Sequence, residues 1–183
     1  MPDLTATNVS TGKGKLTGYL YYAPTSTTAP TDATTTLASA FKSLGYVSDD
    51  GVTNAFSRES EDIKDWNGTP VLAAQTDVTD TWQLTLIEAK NPEVLKAVFG
   101  TSAVVMSSTT LKGLKVDAAE AGNFMFVIEM VMSGNSKKRV VIPNGKISEV
   151  GDIVYAPGEP IGYEITITCM PDSSNKLHYE YFA

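Results

Sequence analysis

Residues 80–100, DTWQLTLIEAKNPEVLKAVFG, contain a strand and a helix that together decide the fold class. Trp82, Leu84 and Leu86 alternate with polar residues, and this spacing predicts a strand that turns one face toward a core. The stretch has no nucleophile beside a base, no cluster of metal ligands and no phosphate-binding loop. We therefore expect this unit to support a sheet and to take no part in catalysis.

The second half of that stretch has the residue order that is typical of a helix. Asn91 is suited to cap the first turn, Pro92 fits the first helical position, and Glu93 complements the positive end of the helix dipole. Gly100 is suited to end the helix. The stripe that we expect to face the core consists of Leu95, Val98 and Phe99.

Residues 54–78, NAFSRESEDIKDWNGTPVLAAQTDV, predict a long hairpin before this unit. Asn-Gly, at residues 67–68, is the strongest short signal for a hairpin turn. The first arm is unusual because it is polar on both faces, whereas a half-buried strand alternates apolar with polar residues. One face carries Ser57, Glu59, Glu61, Ile63 and Asp65, and the other carries Arg58, Ser60, Asp62 and Lys64.

The N-terminal part is rich in hydroxyl side chains, since thirteen of the first 36 residues are Ser or Thr. Such a segment buries little apolar surface, so we expect residues 1–15 to form a flexible arm. KLTGYLYYAP, residues 15–24, predicts a first strand. Leu37, Phe41 and Leu44 have helical spacing before Gly45 and predict a short helix. Residues 16–183 are expected to form one domain, with 24–56 as a partly mobile segment of loop and helix.

The C-terminal half predicts further strands. Residues 101–123 show no clear pattern, whereas FMFVIEMVM, at 124–132, predicts a long strand, followed by a Ser-Gly-Asn turn and a return strand. Two more strands, at 162–170 and 177–182, are joined by PDSSN and are expected to form a hairpin. Strands dominate, so the predicted fold is mainly β: an antiparallel sandwich or barrel with one or two short flanking helices.

The charge of the chain is concentrated in one block. The 183 residues carry a net charge of −7, which argues against a surface that grips nucleic acid. Residues 48–80 hold eight acidic and two basic side chains, so most of the excess negative charge lies there. No stretch has the length of a signal peptide or of a membrane span, and we expect a chain that stays soluble in the cytoplasm.

The residues that usually carry chemistry are few. Cys169 is the single cysteine and lies near the end of an apolar strand, so we interpret it as a buried, inert thiol. His178 is the single histidine, and we interpret it as structural; a Cys169–His178 pair across the hairpin is weighed and not favoured. The carboxylates of residues 57–65 lack the aromatic cleft of a glycosidase. We expect no catalytic residue, no metal, no cofactor and no enzymatic activity.

Three segments in a fixed order carry a family resemblance. LGYVSDDGVT at 44–53, DWNGTPV at 65–71 and TLIEAKNPEVLKAVFG at 85–100 together resemble the tail tube proteins, or major tail proteins, of long-tailed bacteriophages. The resemblance covers residues 17–100 in order and spacing, and the later strands in general pattern. It implies a tail-tube-like β-sandwich that assembles into hexameric rings, stacked into the hollow tube of a virion tail of a non-contractile phage.

The resemblance also implies partners and a role for the acidic block. The implied partners are copies of the same chain, the tape measure protein, the tail terminator and baseplate or distal tail proteins, after assembly in the host cytoplasm. DNA would pass without specific binding and without a membrane partner. An acidic bore repels phosphates. We therefore expect Glu59, Glu61 and Asp65 to face the channel, and Arg58, Asp62, Lys64, Asp49 and Asp50 to contact neighbouring subunits.

Other interpretations stay open. The acidic side chains could simply solvate an outer face. The chain could instead be a secreted or surface β-sandwich binding module of the adhesin kind. It could also be the tube subunit of a contractile or type VI-like injection machine, which would share the fold.

Overall fold

The computed structural model describes residues 5, 8–16, 18–118 and 121–183. These residues form strands and one α-helix, and the predicted mainly β fold is confirmed. In chain order the elements are β1 (Gly12–Gly14), β2 (Leu20–Pro24), β3 (Lys42–Ser43), β4 (Val47–Lys64), β5 (Pro70–Leu86), α1 (Pro92–Phe99), β6 (Val104–Ser107), β7 (Thr110–Leu114), β8 (Phe124–Met132), β9 (Lys137–Val150), β10 (Tyr163–Cys169) and β11 (Tyr179–Phe182).

One antiparallel sheet contains all the strands except β6 and β7, which pair with each other. Its strand order is β3-β2-β8-β9-β10-β5-β4, with β1 beside β8 and β11 beside β9. The predicted hairpin of the last two strands is wrong, because both strands pair with β9 on the edge away from β8 and lie end to end. Asp172 makes the intervening turn by accepting backbone hydrogen bonds from Ser174 and Lys176, and this turn carries the chain along β9.

The two end strands of the sheet order are adjacent in the chain. β3 and β4 are separated by only three residues, and the Leu44 amide donates to the carbonyl of Leu20 at 2.9 Å. Gly45 turns this corner with φ +73°, a conformation that favours glycine, and the Glu88 carboxyl group lies where a Cβ would be. The result is a barrel-like sheet that encloses the main core.

The predicted helix around residues 37–44 is wrong. These residues form turns and the short strand β3, and their apolar side chains separate to two sides of the sheet. Leu44 is buried in the main core, whereas Phe41 and Leu37 pack in a second cluster on the opposite face. The apolar stripe of one helix faces a single layer, whereas these residues pack on both sides of the sheet. The packing of the sheet therefore decides their conformation, and the helical spacing does not.

The strand and helix of residues 80–100 are confirmed. Trp82, Leu84 and Leu86 are buried in the main core. The Asn91 side chain accepts a hydrogen bond from the Glu93 amide at 3.0 Å, which caps the first turn of α1. The buried face of α1 consists of Val94, Leu95, Ala97 and Val98, with Phe99 partly buried against the same core.

A strap, residues 25–41, covers part of the sheet's outer face. Phe41 of the strap packs on Met125, Val127 and Val141 beneath it, and these residues form the second apolar cluster with Ala23. Arg139, also buried, donates to the Asp32 carbonyl of the strap at 2.8 Å and forms an ion pair with buried Glu129. The strap therefore covers β2, β8 and half of β9, and it leaves β10, β5 and β4 bare on that face.

Candidate assembly surfaces

The ribbon, residues 53–79, is a two-stranded extension of β4 and β5 beyond the body. Every residue from 53 to 73 is exposed, so neither face of the ribbon packs on the described part of the chain. The predicted hairpin around the Asn-Gly turn is confirmed. Asp65 accepts hydrogen bonds from the amides of Asn67 and Thr69, and Gly68 has φ +82°. Isolated two-stranded ribbons are only marginally stable in water, so this one needs a partner surface.

The two faces of the ribbon continue different surfaces of the body. In the ladder Asn54 lies opposite Trp82, so alternate residues of β4, among them Arg58, lie on the face that turns toward the core. Glu59 lies opposite Asp77 and belongs to the other face. Like charges directly opposite each other destabilise a strand pair, so this placement costs stability in the isolated chain.

The open face is the polar surface that begins with Glu59 and Glu61 on the ribbon and extends across the body. It alternates with buried residues of the same strands and is uncovered by the strap. Its side chains are Thr81, Gln83 and Thr85 of β5, Glu164, Thr166 and Thr168 of β10, and Lys146 and Glu149 of β9. Hydrogen bonds cross it, from the Gln83 amide to Glu164 at 2.5 Å and between the hydroxyls of Ser148 and Thr168 at 2.7 Å. It is a firm surface of hydroxyl, amide and mainly acidic groups.

The eight residues singled out from the sequence spread along the ribbon and do not form one cluster. Glu59 and Glu61 share the open face, while Asp65 lies in the turn, where its carboxylate is occupied by backbone amides. The remaining five lie on the opposite face or at the base: Arg58, Asp62 and Lys64 on the face of Trp82, and Asp49 and Asp50 in the first residues of β4.

The base of the ribbon contains a buried polar junction that the sequence interpretation missed. Asp80 is 1% exposed; it accepts a hydrogen bond from the Asn54 amide at 2.7 Å and lies 2.5 Å from the His178 ring nitrogen Nδ1. The His178 ring meets Trp82 edge-to-face. The signal was present, because the alternation that buries Trp82 also turns Asp80 inward.

The same junction explains the single cysteine. The expectation of a buried thiol is confirmed, since Cys169 is 6% exposed. Burial, followed by the neighbouring Asp80 carboxylate, raises the pKa of the Cys169 thiol, which keeps it protonated at neutral pH. The junction joins the ribbon to β10 and to the start of β11, and it stabilises the packing of these elements. No set of three His, Cys, Asp or Glu side chains in the described ranges is arranged to hold a metal ion.

The described residues thus form a curved β body with a bare polar sheet face and an exposed ribbon. The sequence profile of the phage tail tube protein family matches residues 7–182, and the chain belongs to that family. A search of curated proteins gave no match. The chain is thus a structural protein of a bacteriophage tail. None of its described helices has the length and apolarity needed to cross a membrane.

Proposed function

We propose that this chain assembles into hexameric rings that stack into the tail tube, and that the tube conducts DNA into the host cell. The observation that carries the proposal is the ribbon, exposed on both faces from residue 53 to residue 73 in a member of the tail tube family. An extension of that length gains stability only when neighbouring copies cover it. The chain acts by self-assembly and needs neither enzymatic activity nor a cofactor.

The open face is proposed to line the bore. A surface that passes DNA should not hold the phosphates. Glu59 and Glu61 supply negative charge, and the adjoining β5 and β10 supply hydroxyl and amide groups. Repulsion between these carboxylates and the phosphate backbone would keep the duplex from adhering to the wall. Asp65 would add its charge at the ribbon's turn.

The other face of the ribbon and its base are proposed to contact adjacent subunits. Arg58, Asp62 and Lys64 offer both signs of charge on one exposed strand. Asp49 and Asp50 lie in the part of β4 that does not pair with β5, because Val47 pairs with Leu86 and the next paired residue is Val52. No strand in the described part of the chain pairs with the outer edge of β4, and such an edge is a template for a strand of another copy.

Further proposals concern the roles of separate segments of the chain. Residues 1–15 are proposed as an arm that orders on a neighbour, and residues 16–183 as the tube domain with 24–56 as a partly mobile segment. Residues 24–54 and the arm are proposed to contact the next ring. Within these, Gly12–Gly14 already pairs with β8, and the strap lies on its own sheet. The tape measure protein, tail terminator and baseplate or distal tail proteins are the proposed partners, with assembly in the host cytoplasm.

Electron microscopy of the purified chain, before and after concentration, tests this function. We expect rings or hollow filaments whose amount rises with protein concentration. A chain that stays monomeric at every concentration would contradict the proposal and favour an adhesin-like binding module. Filaments that form only around a sheath-bearing contractile machine would support the related injection-machine alternative.

A further inference from the structure

The body has a cleft in its wall, between β1 and the first residues of β4. The wall cleft has a volume of about 360 Å³, within the lower part of the range for ligand pockets, which is roughly 300–1,000 Å³. Its floor is formed by Leu20 and Ile128, which are buried, and its sides include Tyr19, Val52 and Met130. The cleft is thus an apolar hollow that opens to the surface.

The strands that border the wall cleft have unpaired backbone edges. Among the described residues β1 pairs with β8 alone, and its other edge borders the opening. Residues 48–51 of β4 have no partner in the ladder with β5. Lys13 stands on one rim and Asp49 on the other. The opening therefore offers apolar surface inside and groups of both charges outside.

The ribbon tip, residues 62–72, carries the complementary features. Trp66 is 102% exposed, and Ile63, Val71 and Leu72 are each at least half exposed. Ile63 and Leu72 are cross-strand partners and so lie on one face. Four large apolar side chains at the end of a polar ribbon are a contact surface without a partner.

The ribbon tip cannot reach the wall cleft of its own chain. From Val52, at the cleft, to Trp66 the chain runs as a continuous strand and turn of fourteen residues, which spans about 45 Å at roughly 3.3 Å per residue. The two surfaces are thus far apart on one subunit. A contact between two different surfaces of the same chain propagates from copy to copy, as a ring or filament requires.

We propose that the ribbon tip of one subunit docks in the wall cleft of another copy of this chain, with the Trp66 indole inside. This inference rests on the proposed function and specifies the surfaces through which copies join. Lys64 of the tip faces Asp49 of the rim, and Asp62 faces Lys13, so each charged rim residue meets its opposite.

Engineered disulfide bonds test the contact in assembled protein. Asn67→Cys beside Trp66 and Asp49→Cys on the rim are combined in one chain, and the assembled sample is oxidised with copper phenanthroline. We expect a ladder of covalent oligomers on a non-reducing gel. The matched control pairs Asn67→Cys with Ser26→Cys on the exposed strap and should give no ladder. The native Cys169 stays in place because it is buried.

Fluorescence of the unaltered chain gives an independent test. The chain has two tryptophans, Trp82 buried and Trp66 fully exposed, so acrylamide reports mainly on Trp66. We expect assembly to lower the quenching constant of Trp66 at least threefold, and Trp66→Phe to remove this change.

Each outcome of these tests decides one claim. A ladder specific to the rim variant, together with protection of Trp66, supports the docking. Assembled tubes in which Trp66 stays open to acrylamide, or in which both cysteine pairs cross-link equally, overturn the docking and leave the proposed function standing. Failure of the unaltered chain to assemble at any concentration overturns the proposed function and the docking with it.

Discussion

At the scale of single residues, the polar groups buried in this chain act as joints between elements. Asp80 bonds to Asn54 of β4 and to His178 before β11. Arg139 similarly connects Glu129 of β8 with the strap. Buried polar groups contribute cohesion only when every member has its partner, so each joint is sensitive to the loss of one side chain.

The Asp80 junction can be tested by truncation. Asp80→Ala should lower the free energy of unfolding by about 2 kcal/mol, because the Asn54 amide and the His178 ring lose the buried carboxylate that joins them. Gln75→Ala, in the same strand and exposed, is the matched control and should change stability by less than about 0.5 kcal/mol. Urea denaturation measures both variants. Equal effects would show that the junction is not what holds the ribbon's base.

Asp32 should make the strap sensitive to acid. Hydrogen bonds from the Thr35 hydroxyl and amide, and from Thr34, hold the pKa of Asp32 below its usual value. A carboxyl group whose pKa is depressed in the folded state adds stability above its unfolded pKa, about 3.9, and this stability is lost as the pH falls. We expect Asp32→Ala to be less stable than the unaltered chain at pH 7 and to begin to converge with it only as the pH falls below about 4.

A thermal unfolding series from pH 2.5 to pH 7 measures this convergence. The control is Asp152→Ala, an exposed acid on the loop after β9. A gap between Asp32→Ala and the unaltered chain that stays constant with pH would contradict the assignment of the effect to the carboxylate.

At the scale of elements, local sequence signals predicted the structure correctly where packing in the sheet requires the same conformation. The Asn-Gly turn and the Asn91 cap are made by neighbouring residues, so the sequence alone predicted both. The spacing of Leu37, Phe41 and Leu44 suggested a helix, yet these residues serve two layers of a closed sheet. The β6–β7 hairpin was missed because its turn, which includes Ser108 at φ +55°, has no glycine or asparagine signal.

The cap of α1 is an element whose contribution can be measured. Asn91→Ala should lower the free energy of unfolding by about 1 kcal/mol, because the Glu93 amide loses its acceptor. Lys90→Ala, one residue earlier and exposed, is the control and should be nearly neutral. If both substitutions have the same effect, the helix start owes its stability to packing and not to the cap.

The candidate surfaces were only partly predictable from sequence. The double polarity of β4 pointed to a strand outside the core, and the ladder confirms its alternation. The wall cleft could not be predicted, because β1 and β4 meet there only when the sheet closes. The inward turn of Asp80 followed from the pattern around Trp82, but its partners Asn54 and His178 are distant in sequence.

At the scale of the whole molecule, charge on the open face should decide how assembled protein treats DNA. Glu59→Lys combined with Glu61→Lys replaces repulsion with attraction if these residues line the bore. We expect tubes of this variant to retain DNA at low salt and to release it as salt rises, whereas unaltered tubes retain none. Filter binding with linear duplex DNA at several salt concentrations measures the difference.

A control variant separates the bore from charge in general. Glu159→Lys, on the exposed loop before β10, changes one charge away from the open face. It should leave DNA retention near that of the unaltered tubes. Equal retention by the Glu159 variant and the open-face variant would mean that the position of the charge is irrelevant.

The most direct test of the central claim is a three-dimensional reconstruction of the assembled protein by electron cryo-microscopy. The account expects stacked six-fold rings around a bore, with Glu59 and Glu61 on the inner wall beside the polar side chains of β5 and β10. A tube whose bore is lined by other surfaces, with these two carboxylates on the outside, would contradict it.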